Sequence, residues 1–372
     1  MFEYYATKLK EKKQNNLYRT LINSDVISAV KIRRKSKKLI SFSSNDYFGL
    51  SQNSKVKKSA IKAIKKYGVG SGASRFVTGN NSLYEQLEKK ISQVKNQDDA
   101  IVFSSGYQTA LGVIPALAEK GDLIIADKLM HSSALEASKL SNAKLLRFIH
   151  NDINHARKLL TENREKYQKC LILTESIFSM DGDLGKIDEL LDLATEFNCL
   201  LIADCAHDLF LKKPVKNQNL LIIGTLSKAV GVLGGYVAGN KNLIDYLRNF
   251  SKSLIYSTAL PPSILSSALA SLEIIEKNNL GLKALKNAKY FCDLLKIPNP
   301  QSAIVPIIIG DDQKVLEIAK NIESEGFVIS AIRPPTVEEG KARLRITFSS
   351  KHQKRDILNL SKVILVNLRP RK

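Results

Sequence analysis

Short apolar segments alternate with longer amphipathic ones along the chain from about residue 99. The amphipathic segments LEASKLS, NHARKLLTENREKY and IDELLDLATEFN carry apolar residues at helical spacing. The apolar segments are typical of buried strands: AIVFSSG, DLIIADK, AKLLRFI, KCLILTES, CLLIADCAH and LLIIGTLSK. Because strands that are apolar throughout need cover on both faces, the pattern predicts an α/β fold with a mainly parallel sheet.

The same pattern divides the chain into three segments. Residues 1–42 are basic and predict a helical N-terminal arm, whereas residues 43–275 contain the alternating elements of a large domain. Residues 276–372 alternate helix and strand again around IVPIIIG and ARLRITFS, which predicts a smaller α+β C-terminal domain. A length of 372 residues suffices for more than one hydrophobic core.

The composition is that of a folded protein outside the membrane. Hydrophobic residues make up 44% and charged residues 25% of the chain, which argues against a disordered protein. No apolar run reaches the roughly 18 residues of a membrane span, and the N-terminus MFEYYATKLKEKKQ lacks the apolar segment of a signal peptide. We therefore expect a cytoplasmic protein. The four cysteines show no CxxC spacing, so neither a disulfide framework nor a metal site is expected.

The net charge of +21 would suit a partner rich in phosphate or carboxylate. The cations are spread along the chain, however, and only the short run KIRRKSKK (31–38) concentrates them. A lysine-rich solvated surface is therefore favoured over nucleic-acid binding. An acidic small substrate or an acidic carrier protein is compatible with the same surface.

Unusual polar residues follow three of the predicted strands. Residues 104–106 (SSG) come after AIVF, Asp204 and His207 come after CLLIA, and residues 225–228 (TLSK) come after LLIIG. Because parallel sheets carry their sites at the carboxyl ends of strands, these groups are expected at one edge of the sheet.

Lys228 leaves a buried strand and enters the glycine-rich stretch GTLSKAVGVLGGY. Most lysines are solvated surface charges, but a desolvated one has a lowered pKa, and its neutral amine can attack an aldehyde to form a Schiff base. Asp204 and His207, three residues apart, allow three interpretations: a metal pair, a structural polar pair, or a carboxylate that holds the ring nitrogen of pyridoxal phosphate protonated.

Two further stretches support a cofactor site only in combination with Lys228, Asp204 and His207. FSSGYQTALG (103–112) reads as a strand, a small-residue turn and a helix, an arrangement whose free N–H groups bind anions such as a phosphate, with Thr225 able to add a hydroxyl. Many strand–helix turns look alike, so a purely structural turn remains an alternative. His131 follows another apolar strand, and alone it would be interpreted as a hydrogen-bonded structural histidine.

Taken together, seven motifs resemble the α-oxoamine synthase family of pyridoxal-phosphate enzymes over nearly the whole chain. They are GSGASRFVTG, FSSGY, DKLMHSS, TESIFSMDGD, DCAH, TLSK and YSTALPP. The resemblance implies the fold type I architecture, with a seven-stranded, mainly parallel sheet in the large domain. It implies pyridoxal 5'-phosphate as the cofactor and a homodimer with shared sites.

The resemblance also implies roles for individual residues. Lys228 would carry the cofactor as a Schiff base, Asp204 would pair with the ring nitrogen, and His131 would stack on the ring. The remaining contacts would come from His207 and Ser179 to the ring hydroxyl, from Gly106, Tyr107 and Thr225 to the phosphate, and from Thr258 to the phosphate of the neighbouring subunit.

Within this family, AIRPPTVEEGKARLRITFS (331–349) and RFIHNDINHARKLL (147–160) most resemble the branch of 8-amino-7-oxononanoate synthases. That branch condenses L-alanine with a pimeloyl thioester, carried by coenzyme A or by an acyl carrier protein, with loss of carbon dioxide in biotin biosynthesis. By the same resemblance Arg345 would bind the amino-acid carboxylate. Arg19, Asn45, Arg333 and Thr336 would line the substrate or acyl side, and His131 would face the substrate.

The chain departs from the family pattern at several positions. The family usually reads Asp-Asp-Ala-His-Gly where this chain has DCAHD, so Cys205 replaces an acid and Asp208 replaces a glycine. The glycine after the lysine is replaced by Ala229, and the following stretch reads VLGGY. Two alternatives stay open: a sister synthase such as one that joins glycine to acetyl-CoA, or a non-catalytic basic binding protein on the same fold.

Overall fold

We describe a computed structural model that covers residues 1–15 and 17–368. The strands are β1 (Asp25–Ser28), β2 (Lys31–Arg34), β3 (Lys37–Ser41), β4 (Asp99–Phe103), β5 (Leu123–Asp127), β6 (Lys144–Phe148), β7 (Cys170–Glu175), β8 (Leu200–Asp204), β9 (Leu220–Thr225), β10 (Gly235–Gly239), β11 (Ile304–Gly310), β12 (Phe327–Val328), β13 (Ser330–Ile332) and β14 (Ala342–Thr347). The helices are α1 (Phe2–Gln14), α2 (Ser54–Tyr67), α3 (Ser82–Val94), α4 (Gly106–Leu117), α5 (Ser132–Leu140), α6 (Ile153–Asn163), α7 (Ile187–Glu196), α8 (Lys241–Phe250), α9 (Lys252–Ile255), α10 (Pro262–Glu276), α11 (Leu280–Leu295), α12 (Asp312–Ser324) and α13 (Lys354–Leu368). None of the described helices has the length and apolarity needed to cross a membrane.

The chain divides into two compact units. The larger unit consists of Leu50–Ser179 and Asp183–Gly281, and the smaller unit of Met1–Gly49, Met180–Gly182 and the chain from Leu282 onward. The edges of these units differ from the predicted boundaries at 42/43 and 275/276. The last four residues of the predicted segment 276–372 lie outside the described part of the chain.

The helical arm predicted over residues 1–42 is wrong for its second half. Only α1 is helical, and none of its residues is buried. Asp25–Ser41 instead forms β1, β2 and β3, which pair antiparallel in sequence. The run KIRRKSKK covers β2, the turn after it and the start of β3. In these two strands only Leu39 and Ser41 are buried. Because most positions carry exposed cations, the sequence lacks the alternation of apolar and polar residues that marks a strand.

The larger unit is built on a seven-stranded sheet with the order β4-β10-β9-β8-β7-β5-β6. β5 is parallel to β6 and β7, and β8 is parallel to β7 and β9, which confirms the predicted mainly parallel sheet. All six strands predicted from the apolar segments are present. Every residue of β5, β7 and β9 is buried, which explains why these strands read as continuous apolar runs.

The sheet has the seven strands that the resemblance implied, but the apolar pattern did not locate the seventh, β10, which is antiparallel to both β4 and β9. Because both ends of this strand, GYVAG, are glycines, the segment does not read as an apolar strand in the sequence. A Cβ atom at Gly235 would lie 2.3 Å from the hydroxyl of Thr109 and 2.4 Å from the carbonyl oxygen of Ser105. The close approach of α4 therefore requires a residue without a side chain here, and a strand-forming residue is excluded.

The smaller unit is α+β, as predicted, with two small sheets. β11, β14 and β13 form one antiparallel sheet, and β12 adds parallel to β3 in the sheet β1-β2-β3-β12. All six residues of β14 are buried, including Arg343 and Arg345. A strand that buries two arginines is uncommon, because a buried cation requires hydrogen-bonding partners.

Candidate active site

Lys228 lies in the turn that joins β9 to β10 in the larger unit. The backbone N–H of Gly231 donates to the carbonyl oxygen of Lys228 at 3.0 Å, which folds the turn tightly after the strand. The Nζ atom of Lys228 is 2.7 Å from Nε2 of His207. Two nitrogens this close share one proton, so the two groups do not both carry a positive charge on the facing atoms.

Asp204 ends β8, the strand next to β9. Its side chain is 9% exposed, and its Oδ1 accepts a hydrogen bond from the backbone N–H of Ala206 at 2.9 Å. Burial raises the pKa of the Asp204 carboxyl, while Lys228, the Ala206 N–H and His131 act in the opposite direction. The acid is therefore held among groups that favour its charged form, in a place where the charge is poorly hydrated.

Glu175 ends β7, and its backbone lies directly opposite Asp204 in the parallel register. Burial, followed by the neighbouring Asp204 carboxylate, raises the pKa of Glu175 well above its ordinary value. The backbone N–H groups of His131 and Ser179 donate to this carboxyl group, and Oε1 has no hydrogen-bond partner among the described residues. Glu175 was not among the predicted site residues, although it is the last residue of β7, as Asp204 is the last residue of β8.

His131 is the N-cap residue of α5. Its Nδ1 accepts a hydrogen bond from the backbone N–H of Ser133 at 3.2 Å and is 2.8 Å from the Ser133 hydroxyl. An accepting Nδ1 assigns the proton of the neutral ring to Nε2. Burial among protein atoms lowers the pKa of His131, and Lys228 acts in the same direction. Part of the residue is nevertheless exposed.

The start of α4 forms an anion-binding geometry. Ser105 caps the helix by accepting from the N–H of Gln108 at 3.2 Å, which leaves the N–H groups of Gly106 and Tyr107 as the unbonded first turn. A Cβ atom at Gly106 would come within 3.0 Å of Cβ of Thr225, so the helix begins against the end of β9. Ser227, which sequence analysis did not single out, places its hydroxyl 2.7 Å from that of Thr225.

Thr258 lies elsewhere in the larger unit, beside the motif GSGASRFVTG. It forms an antiparallel bridge with Ser74, and the N–H of Ala259 donates to the carbonyl oxygen of Ala73 at 3.0 Å. Ser179 follows the buried Phe178, at the point where the chain leaves the larger unit.

In the smaller unit, Arg345 and Arg343 are two residues apart on β14. Arg345 donates from both terminal nitrogens to Oδ1 of Asn45 at 3.2 Å. Burial raises the pKa of the adjacent Tyr47 to about 12, against the opposing effect of Arg345. Arg343 donates to the carboxylate of Asp181 and to a backbone carbonyl. The structure thus brings the predicted Asn45 and Arg345 together.

The other predicted substrate residues form an exposed cluster in the same unit. Arg19 donates to the hydroxyl of Thr336 at 3.3 Å, although 317 residues separate them in the sequence. Arg333 donates to the carbonyl oxygen of Tyr18 at 3.0 Å, and the N–H of Thr336 donates to the carbonyl oxygen of Arg333. In the described part of the chain, no group of three or more potential metal ligands occurs in a metal-binding arrangement.

Comparison with known proteins identifies the family. The family described as aminotransferase class I and II matches residues 37–364. The chain belongs to this family. It is 41% identical to the 8-amino-7-oxononanoate synthase of Beijerinckia indica, over 97% of this chain and 96% of that protein. It is 40% identical to the enzyme of the same name from Methylobacterium nodulans, over 94% and 92% of the two chains.

Solved structures agree with this assignment. The crystal structure of 8-amino-7-oxononanoate synthase from Francisella tularensis is 27% identical, with a TM-score of 0.73 over 88% of this chain and 96% of that chain. Serine palmitoyltransferase from S. paucimobilis shares the fold, with a TM-score of 0.89 at 22% identity over 98% and 97% of the two chains. The resemblance to the α-oxoamine synthases and their fold type I architecture is confirmed, and the cofactor is pyridoxal 5'-phosphate.

The residues present fit this cofactor. A part-buried lysine amine suits its aldehyde, and a buried carboxylate suits its ring nitrogen. The first turn of α4 suits its phosphate, since Gly106 leaves no side chain between the N–H groups and Thr225.

Proposed function

We propose that this protein condenses L-alanine with a pimeloyl thioester, with loss of carbon dioxide, to form 8-amino-7-oxononanoate. The observation that carries the proposal is the 2.7 Å contact between Nζ of Lys228 and Nε2 of His207, beside the buried carboxylate of Asp204. The names of the relatives at about 40% identity support the choice of product.

The proposal assigns a task to each group in the larger unit. Pyridoxal phosphate supplies an electron sink for the charge left when a bond to the α-carbon of an amino acid breaks. Lys228 would hold the cofactor covalently, and Asp204 would keep the ring nitrogen protonated. Further contacts would come from His207 and Ser179 at the ring hydroxyl, from His131 at the ring face, and from Gly106, Tyr107 and Thr225 at the phosphate.

Proton transfer in this proposal belongs to Lys228. Its amine is the group suited to remove the α-proton of the amino acid and later to return a proton to carbon. His207 supports this role, because an imidazole nitrogen at 2.7 Å accepts a hydrogen bond from the ammonium form and keeps Nζ oriented.

For the smaller unit, we assign the carboxylate of the amino acid to Arg345, supported by Asn45. A guanidinium group binds a carboxylate through two parallel N–H bonds, and the side chain is held in a buried strand before any ligand arrives. Arg19, Arg333 and Thr336 are assigned to the acyl thioester. Their exposed cluster offers cationic donors to an anionic carrier, which both coenzyme A and an acyl carrier protein provide.

We also propose a homodimer. Phe76, Val77 and Tyr256 are 55%, 74% and 82% exposed, and they flank the bridge between Ser74 and Thr258. Large apolar side chains exposed together mark a surface that another protein covers. In such a dimer Thr258 would contact the cofactor phosphate of the partner subunit.

The test uses the purified protein with pyridoxal phosphate, L-alanine or glycine, and a pimeloyl or acetyl thioester, with product identification by mass. We expect 8-amino-7-oxononanoate from L-alanine and the pimeloyl thioester. The variant Lys228→Ala should form no product and lack the visible band of the bound cofactor, whereas Lys213→Ala, which removes an exposed lysine, should behave like the parent. A product from glycine and the acetyl thioester alone would replace our choice with a sister synthase, and an active Lys228→Ala would refute the site.

A further inference from the structure

Lys95 is a fully buried cation in the larger unit. It is the C-cap residue of α3, its side chain is 2% exposed, and its Nζ contacts Oδ2 of Asp208. A buried lysine is stable only with a close counter-ion, because its charge has lost its hydration. Asp208 is thus the counter-ion of Lys95, and it lies at one of the two acid positions at which this chain departs from the family pattern.

The surroundings of Lys95 include the other departure. Burial by itself would lower the pKa of Lys95, but Asp208, with contributions from Tyr236 and Cys205, raises it. Burial raises the pKa of the Cys205 thiol to about 12, and Lys95 acts in the opposite direction. Lys95 therefore interacts electrostatically with both position 205 and position 208. The aromatic ring of Phe210 completes the site, with its centroid 4.2 Å from Nζ.

Asp208 also shapes the loop that follows β8. Its Oδ1 accepts from the N–H of Phe210 at 2.7 Å, and its own N–H donates to the carbonyl oxygen of Cys205 at 3.2 Å. Phe210 has a φ of 54°, a left-handed conformation that is unfavourable for a bulky residue and must be held by its surroundings. His207 is the residue before Asp208, so the loop held by the ion pair is the one that presents His207 to Lys228.

A second set of bonds ties the same loop to the end of α3. The side chain of Asn96 donates to the carbonyl oxygen of Pro214 at 3.2 Å, and that of Gln97 donates to the carbonyl oxygen of Val215 at 3.0 Å. These bonds hold the far end of the loop, whereas the Lys95–Asp208 pair holds it next to His207.

We propose that Lys95 and Asp208 are positioning residues that fix His207 against Lys228. The buried ion pair holds Asp208 in place, and through the backbone it holds the adjacent His207. This inference rests on the proposed role of Lys228.

Two variants test the proposal: Asp208→Asn and the double variant Lys95→Met/Asp208→Asn. Glu276→Gln is the matched control, since it breaks an ion pair with Lys90 that lies nearer the surface. Three quantities are measured for each variant: the thermal midpoint without cofactor, the Kd for pyridoxal phosphate, and the pH midpoint of the visible band of the bound cofactor.

Asp208→Asn leaves Lys95 without its counter-ion, so we expect a thermal midpoint lower by about 10 °C. We also expect about tenfold weaker cofactor binding and a band whose pH midpoint moves by at least about half a unit. Lys95→Met/Asp208→Asn should recover the thermal midpoint but keep the weaker binding and the shifted band. The control should change none of the three quantities.

Two outcomes would overturn the proposal. If Lys95→Met/Asp208→Asn binds cofactor and titrates like the parent, the pair is only structural and does not position His207. If Asp208→Asn leaves the Kd for pyridoxal phosphate and the pH midpoint of the band as in the parent, Asp208 does not position His207. A parent protein without a visible band would instead contradict the role of Lys228, which separates failure of the proposed function from failure of this inference.

Discussion

Two groups of charged residues in this protein differ in how their charges are held. In the larger unit, Asp204, Glu175 and His207 are buried at strand ends and in the adjoining loop. In the smaller unit, Arg19 and Arg333 are hydrogen-bonded at the surface. The ionisation of Glu175 depends on the neighbouring Asp204, because neither carboxyl group is well hydrated, whereas each charge of the second group is in contact with water.

This difference determines how much one substitution should change. Removing one member of a buried charged set leaves its neighbours uncompensated, which costs about 3–5 kcal/mol. Removing an exposed hydrogen bond costs about 0.5–1.5 kcal/mol, because water replaces the lost partner. The buried group should therefore control whether the reaction occurs, and the exposed group should tune how well a substrate binds.

Asp204→Asn should give the largest effect in this comparison. The amide keeps the shape of the side chain and can still accept from the N–H of Ala206, but it cannot hold a proton on a ring nitrogen. Loss of about 3–5 kcal/mol corresponds to a rate reduced about 10²- to 10⁴-fold. The measurement is exchange of the α-proton of L-alanine in heavy water, followed by NMR, with cofactor binding checked by absorbance. An unchanged exchange rate would contradict the assigned role of Asp204.

Glu175→Gln should give a smaller effect whose sign depends on pH. The raised pKa means that folded Glu175 keeps a proton that the unfolded chain releases, so the stability of the parent falls as pH rises above the ordinary range of a glutamate. Glutamine resembles the protonated acid and has no such dependence. The difference in unfolding free energy between the variant and the parent, measured without cofactor at pH 5 and pH 8, should move in favour of glutamine at the higher pH.

Glu175→Ala is the matched variant for this experiment. It removes the acceptor for the N–H groups of His131 and Ser179, so it should lower the unfolding free energy by about 2–4 kcal/mol at both pH values. A glutamine variant whose relative stability is independent of pH would show that Glu175 is ionised in the folded protein.

The buried group was largely predictable from sequence, because it obeys a single rule. Asp204 and His207 follow an apolar run, and the carboxyl ends of parallel strands meet at one edge of the sheet. Glu175 obeys the same rule but was missed, since nothing in KCLILTES distinguishes a buried glutamate from the polar residue that commonly ends a strand. Lys95 was missed because burial of one cation among 57 lysines and arginines leaves no local pattern.

The exposed group was not predictable from pattern. Arg19 and Thr336 are 317 residues apart, and their contact arises only from the folding of the smaller unit. Their assignment came entirely from the resemblance to a known family. The hairpin β1–β3 was missed for a related reason, because its residues are mostly exposed and charged and therefore lack the alternation that marks a half-buried strand.

Arg333→Ala should give the smallest effect. It removes a partly exposed guanidinium group and its exposed bond to the carbonyl oxygen of Tyr18, so about 0.5–1.5 kcal/mol is lost, or about 2- to 12-fold in affinity. If Arg333 binds the acyl thioester, KM for that substrate should rise by this factor while kcat and KM for L-alanine stay unchanged. Arg355→Ala, which removes another exposed arginine of the same unit, is the control and should leave all three constants as in the parent. A loss in kcat of a hundredfold would contradict the distinction between the two groups, because it would mean that an exposed arginine contributes as much to the reaction as the buried carboxylate of Asp204.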